Sequence, residues 1–238
     1  MDIQYDFGMI GLGVMGSNLL LNIADHGFAA IGYDLKLERA QALEAAANKE
    51  TVVKGVVDLG QMMGALKKPR KIMMLVPAGP PVDAVINSLL PFLEKGDIVI
   101  DGGNSYFKDT LKRVAALEEK GMHFFGMGVS GGELGARLGP SMMPGGDKEA
   151  YQYLKPILEA IAAKADDTPC VAYMGHGAAG HYVKMVHNGI EYAMMQMISE
   201  VYDILKRGAG FTNEELHHTF LVVQKFLFVS PLILSVRQ

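Results

Sequence analysis

Cysteine is almost absent. Cys170 stands alone in 238 residues, so no internal disulfide can form, and its neighbours suggest no thiol chemistry. Excess charge of one sign is missing too: 22 basic against 26 acidic side chains leave a formal charge of -4, which gives no electrostatic reason to expect nucleic acid as a partner. The basic run Lys67-Lys-Pro-Arg-Lys71 reads as the solvated approach to a strand. No apolar run reaches the ~20 residues that a membrane helix needs; the apolar stretch Leu221–Gln238 is broken by Gln224, Lys225 and Pro231. Neither a basic leader nor an apolar signal core precedes the first strand, and a cytoplasmic enzyme is expected. There is no internal repeat and no low-complexity linker, and no metal site is expected. With half of the residues hydrophobic, the chain can bury one sizeable core and a smaller element.

The N-terminal pattern is specific. Tyr5–Ile10 reads as a short apolar strand, followed by Gly11-Leu12-Gly13-Val14-Met15-Gly16 and the apolar-periodic Leu19-Leu20-Leu21 and Ile23. In this G-x-G-x-x-G arrangement Gly11 permits a tight turn, Gly13 lets a pyrophosphate approach the backbone, and Gly16 lets helix and strand pack closely. The helix N-terminus then offers free N–H groups and the positive end of its dipole to phosphates. A second strand, Ala29–Tyr33, ends at Asp34. An acidic residue there accepts hydrogen bonds from ribose hydroxyls and disfavours a 2′-phosphate, although Lys36 could still meet one. Asp34 read blandly is a loop or cap residue before a helix over 36–47.

Alternating elements continue. Gly55-Val-Val-Asp58 reads as a loop leading to a helix through Leu66. Lys71–Val76 is a buried strand closed by Pro77-Ala78-Gly79-Pro80-Pro81, with a helix from about Val82 to Leu93. Asp97–Ile100 is a strand followed by Asp101-Gly-Gly-Asn104-Ser105 and a charged helix to Lys120. His123–Gly126 is a strand ending in Gly128-Val-Ser130-Gly131-Gly132. Pro140–Gly146 introduces a helix over 148–163 and a strand near 171–174. Repeated βα units imply a Rossmann-like, doubly wound, mostly parallel sheet. The glycine clusters after its strands should line one rim, where such sheets bind ligands. Residues 1–177 are expected to form this dinucleotide-binding domain, and 178–238 to begin an all-α domain.

The helix 181–192 carries the second strong signal. Lys184, His187, Asn188, Glu191 and Tyr192 recur at spacings of three, four, seven and eight, which places them on one helical face. Met185, Val186 and Ile190 point elsewhere. Such a stripe is either a solvated face or a buried one whose groups serve each other or a ligand. The small and apolar flanks, Gly177–Gly180 and Ala193-Met-Met, favour the buried reading.

Together, Gly11–Gly16, Asp101–Ser105, Gly128–Gly132, Gly139–Gly146 and His181–Tyr192 resemble 6-phosphogluconate dehydrogenase of the decarboxylating kind, from the N-terminus to about residue 220. The broader β-hydroxyacid dehydrogenases share the first motif and the lysine, but not Asn188-Gly-Ile-Glu191 as a set. The resemblance implies oxidation of 6-phosphogluconate at C3 by a nicotinamide cofactor, loss of CO2 and release of ribulose 5-phosphate. It casts Lys184 as general base and Glu191 as the acid that protonates C1 of the enediol left after CO2 departs. Substrate contacts are carried over to Asn104, Ser130, Gly131, Gly132, His187, Asn188 and Tyr192. Cofactor contacts are carried over to Gly11, Leu12, Gly13, Val14, Met15, Gly16, Asp34, Leu35, Lys36, Val76, Pro77, Ala78 and Asn104. For Asn104 and Ser130, turn or cap duty is the plain alternative.

Three departures follow. Where the family has Asn-Arg-Thr, whose arginine grips the 2′-phosphate of NADP, this chain has Asp34-Leu35-Lys36; NADP is implied by the family and NAD by Asp34. Pro77 stands where the family commonly has a lysine. The family also continues, largely helical, well past residue 238, whereas Leu221–Gln238 is expected to leave its pattern, with apolar surface that self-association would cover. A homo-oligomer acting on a small phosphorylated sugar acid is expected. A short β-hydroxyacid dehydrogenase and a non-catalytic dinucleotide-binding module remain as alternatives.

Overall fold

The protein's computed structural model describes residues 3–226. Phe7–Ile10 (β1), Ala30–Tyr33 (β2), Val53–Val56 (β3), Lys71–Met74 (β4), Ile98–Asp101 (β5), His123–Ser130 (β6) and Ser141–Gly145 (β7) form one sheet in the order β3-β2-β1-β4-β5-β6-β7. All neighbours run parallel except β7, which pairs antiparallel to β6. The helices between them are Val14–Asp25 (α1), Leu37–Ala46 (α2), Leu59–Ala65 (α3), Pro80–Leu89 (α4), Phe107–Glu118 (α5), Gly132–Leu138 (α6) and Tyr151–Ile161 (α7). This is the expected Rossmann-like architecture, with the order reversing between β1 and β4.

Successive strand residues enter two separate cores, as the two-residue period requires. Phe7, Met9, Met73, Ile98, Ile100, Phe125 and Met127 join Leu19, Leu20 and Ile23 of α1 and Leu154, Ile157 and Leu158 of α7. Ile10, Ile72, Met74, Val99 and Phe124 join Met62 and Met63 of α3, Ile86 and Leu89 of α4, and Val114 and Leu117 of α5. Each such side chain withdrawn from water contributes about 2 kcal/mol. A polar tie reinforces the first core: buried Asn22 of α1 donates to the carbonyls of Ala136 (3.1 Å) and Ile161 (3.2 Å).

The structure departs from the sequence reading at the sheet edges. Val53–Val56 is a strand rather than part of a loop. Lys54 and Gly55 interrupt its apolar run, but a Cβ at Gly55 would lie 2.2 Å from the Ala40 carbonyl oxygen, so α2 covers the strand only because glycine is there. Ser141–Gly145 is a strand despite Pro144, a residue that an edge strand tolerates, and pairing with it extends β6 to Ser130. Residues 171–174 form no strand; Val171 and Gly175 make isolated bridges to Met142 and Gly145. Instead Lys164–Ala165 (β8) and Thr168–Pro169 (β9) form a small hairpin, turned by Asp166 and Asp167 at positive φ.

Two compact units are distinguished: Met1–Met185, and a second that begins at Val186. One helix, Ala179–Asp203 (α8), carries the chain from the first into the second. A π-helical turn, Ile204–Gly208, and Asn213–Phe226 (α9) follow. A capping box opens α9: the Thr212 N–H donates to Glu215 Oε2 (2.7 Å), and the Glu215 N–H donates to Thr212 Oγ1 (3.3 Å). Tyr202 stacks on Phe220 with ring centroids 6.4 Å apart. Residues 227–238, including most of the apolar C-terminal stretch, lie outside the described residues.

Candidate active site

Because β1, β4, β5 and β6 are parallel neighbours, the segments at their carboxyl ends, 11–16, 77–81, 101–105 and 128–132, share the carboxyl edge of the sheet. The first is built for a phosphate. Gly11 turns the chain at φ +90, and a Cβ at Gly16 would stand 1.9 Å from the Gly11 carbonyl oxygen, so only glycine lets α1 begin this close to β1. A Cβ at Gly13, in contrast, would meet nothing within 4 Å. The bend therefore has open space over Gly13, and α1 has no side-chain N-cap bond. A pyrophosphate fits this arrangement. Leu12 is buried, Met15 packs on the first core, and Val14 is exposed.

Asp34 sits at the end of β2, 7% exposed. One carboxylate oxygen accepts the Lys36 N–H (3.0 Å); the other accepts the Leu12 N–H (2.9 Å) and Arg39 Nη1 (3.1 Å). Burial pushes its pKa up, but these bonds more than offset that and hold it below the ordinary carboxylate value. Asp34 thus clamps the glycine bend to the second strand. Leu35 beside it is 85% exposed, and Lys36 and Arg39 are exposed cations. Arg39 was not singled out from the sequence, although it lies only three residues beyond Lys36, in the first turn of α2.

On the next two segments Val76 is partly buried, Pro77 and Ala78 are exposed, and Asn104 is exposed. Asp101 organises this region from beneath. Wholly buried, its carboxylate accepts the Gly103 N–H (3.0 Å) and the Ser105 hydroxyl (2.6 Å). Arg113 Nη1 lies 3.7 Å away; among the described residues it is the buried side-chain nitrogen with no hydrogen-bond acceptor. The same guanidinium donates to both Asp83 oxygens (2.7 and 3.0 Å) and to the Gly79 carbonyl (3.2 Å). Arg113 so joins the segment after β4 to that after β5. An arginine in a charged helix carries no sequence signal of burial, which is why it escaped notice. Ser130 ends β6 opposite Ser141, and Gly131 and Gly132 follow, both exposed and at positive φ.

The start of α8 lies against β6 and β7. A Cβ at Gly180 would be 2.1 Å from the Met143 carbonyl oxygen and 2.2 Å from that of Gly126, and a Cβ at Gly128 would be 2.5 Å from Lys184 Cβ. Lys184 is 7% exposed. In the second unit, His187 Nδ1 lies 3.2 Å from Asn188 Oδ1 and 3.5 Å from Glu191 Oε2, so these three polar side chains serve each other. Along α8 the expected stripe is the less exposed one: Lys184 is buried and His187, Asn188 and Glu191 are half-buried, whereas Met185, Val186 and Ile190 are exposed. Tyr192 departs from this, at 70% exposed.

Fold and rim define a dinucleotide-binding domain of the dehydrogenase class, with a lysine-bearing helix arising at its carboxyl edge. The comparisons narrow this. The NAD binding domain of 6-phosphogluconate dehydrogenase matches residues 6–175, and the C-terminal domain of the same enzyme matches 180–233. The chain belongs to the 6-phosphogluconate dehydrogenase family. The stretch after Leu221, expected to leave the family pattern, follows it as far as residue 233. Among relatives, the decarboxylating 6-phosphogluconate dehydrogenase 1 of Saccharomyces cerevisiae is 53% identical over 90% of this chain and 44% of its own. The decarboxylating enzyme of Lactococcus lactis is 53% identical over 91% and 46%. A solved 6-phosphogluconate dehydrogenase of Plasmodium falciparum, described in apo form, with NADP+ and with 6-phosphogluconate, superposes with a TM-score of 0.87 at 46% identity, over 94% of this chain and 48% of that one. A 3-hydroxyisobutyrate dehydrogenase of Mycobacterium tuberculosis, at 22% identity and a TM-score of 0.76, shares the fold. This chain spans less than half the length of the curated relatives it matches.

Proposed function

We propose that the chain carries the dinucleotide-binding and proton-transfer parts of a decarboxylating 6-phosphogluconate dehydrogenase, with residues 1–177 holding NADP or NAD and 178–238 beginning the helical domain. The observation that supports this most is Lys184: a buried amine on a helix held at backbone distance from β6, at the edge where a dinucleotide would lie. Gly11, Gly13 and Gly16 would cradle the pyrophosphate, Asp34, Leu35 and Lys36 would border the adenosine ribose, and Val76, Pro77, Ala78 and Asn104 would flank the rest of the cofactor. When bound, the nicotinamide supplies a hydride acceptor.

Lys184, neutral, would take the C3 hydroxyl proton of 6-phosphogluconate as that carbon is oxidised. Its ammonium would return a proton to the C3 oxygen as the C1 carboxylate leaves as CO2. Glu191 would then protonate C1 of the enediol to give ribulose 5-phosphate. The burial of Lys184 beside β6 supports its assignment as the base. Asn104, Ser130, Gly131, Gly132, His187, Asn188 and Tyr192 would hold the substrate. The exposed Met194, Met195, Met197, Ile198 and Val201 support a homo-oligomer. Among the described residues no helix is long and apolar enough to cross a membrane; a cytoplasmic enzyme is proposed.

The test is a reaction mixture containing the chain, either nicotinamide and 6-phosphogluconate labelled with 13C at C1. Equal amounts of reduced nicotinamide and labelled CO2 are expected. Reduction without CO2, or reduction only with other small hydroxy acids, contradicts the proposal.

A further inference from the structure

We infer that His181 is a positioning residue for Lys184: its two ring nitrogens pin the first turn of α8 to the end of β5 and the start of α5. This rests on the reading of Lys184 as the base. His181 is 2% exposed. Nε2 lies 3.0 Å from the Asp101 carbonyl oxygen and Nδ1 2.7 Å from Thr110 Oγ1. A carbonyl can only accept, so Nε2 carries hydrogen; in the neutral ring Nδ1 then accepts the Thr110 hydroxyl hydrogen. Burial pushes the ring's pKa down and the nearby Arg113 adds to this, against the opposing pull of Asp101 and the Asp101 and Gly103 backbone.

Both partners belong to the walls of the site. Asp101 opens the segment that carries Asn104 and is tied through Arg113 to Gly79. Lys184 lies one helical turn beyond His181, on the same face. The sheet leaves no slack beneath either residue: a Cβ at Gly126 would be 2.7 Å from His181 Nδ1, and one at Gly128 would be 2.5 Å from Lys184 Cβ. A small rotation of α8 would therefore carry the lysine away from the strand on which its stem rests. The imidazole fixes that rotation from two directions, through groups that themselves shape the rim.

The experiment follows acylation of Lys184 by acetic anhydride, read by mass spectrometry against Lys112, whose side chain is 78% exposed. His181→Phe keeps a ring and removes both bonds. Thr110→Val removes one of them and decides the matter should His181→Phe fail to fold. Either variant should acylate Lys184 faster, by about tenfold for the double loss, with Lys112 unchanged and nicotinamide affinity retained. His181→Gln, which keeps a donor towards Asp101, should restore part of the protection. Nitrogen-15 spectra of the unaltered chain should show the neutral Nε2–H form, and Thr110→Val should perturb Nδ1. An unchanged Lys184 rate in every variant that folds, or an Nδ1–H ring, overturns the inference. These readings need no turnover, so failure of the proposed reaction and failure of this inference are told apart.

Discussion

Two glycines of α8 should respond in opposite senses to the same substitution. Alanine is worth about 1 kcal/mol more than glycine inside a helix. A Cβ at Gly189 meets nothing within 4 Å, so Gly189→Ala should stabilise by about that amount. At Gly180 the same methyl would press on backbone at 2.1 Å (Met143 O), 2.2 Å (Gly126 O) and 2.7 Å (Gly145 N). These atoms belong to paired strands and cannot swing aside as a flexible side chain could. Overpacking typically costs 1–3 kcal/mol, and three backbone collisions place this site at about 3. Subtracting the helix gain leaves a net loss of about 2 kcal/mol, which in a chain of this size lowers Tm by about 4–8 °C. Thermal melts followed by circular dichroism read both variants, and acylation of Lys184 should quicken in Gly180→Ala alone. A Gly180→Ala protein that melts at or above the parent temperature would refute the claim that α8 rests on the sheet at backbone distance.

Asp34 sets a pH dependence. A carboxylate held below its ordinary 3.8 contributes stability that is present above that value and is lost as pH falls through the lowered one. Asp34→Asn should therefore melt below the parent at neutral pH, by a deficit of about 1–2 kcal/mol, and the gap should narrow below pH 4. A gap that widens on acidification contradicts the clamp. Leu35 is so exposed that Leu35→Arg should leave stability unchanged; a bidentate arginine at a 2′-phosphate should lower the KM for NADP about tenfold while that for NAD stays the same. Equal changes for both nicotinamides would remove residue 35 from the ribose-phosphate corner.

The interior of the fold was open to reading because β1, β4 and β5 are covered on both faces, so each is mostly apolar and closed by a turn rich in glycine or proline. Only the edges misled. β3 carries Lys54 and Gly55, and β7 carries Pro144, because an edge strand has one unpaired side and need not be apolar throughout. At the site, Gly11–Gly16 and the Lys184–Glu191 stripe stood out through spacing, a property of sequence. The buried hub of Asp101, Arg113, Thr110 and His181 did not. Its members lie up to 80 residues apart, and each is an ordinary turn or helix residue until the sheet brings them together. Asp34 shows a related limit: its place after β2 was legible, but its engagement by Leu12, Lys36 and Arg39 was not.

The central claim is that the cofactor site and the proton-transfer amine are separate parts of one rim. Lys184→Ala tests it most directly, by nicotinamide fluorescence titration and turnover of 6-phosphogluconate on the same preparation. Unchanged nicotinamide affinity with turnover abolished is the predicted result. Turnover that persists without the lysine, an unaltered chain that binds nicotinamide yet turns over nothing, or simultaneous loss of both functions in the variant would contradict it.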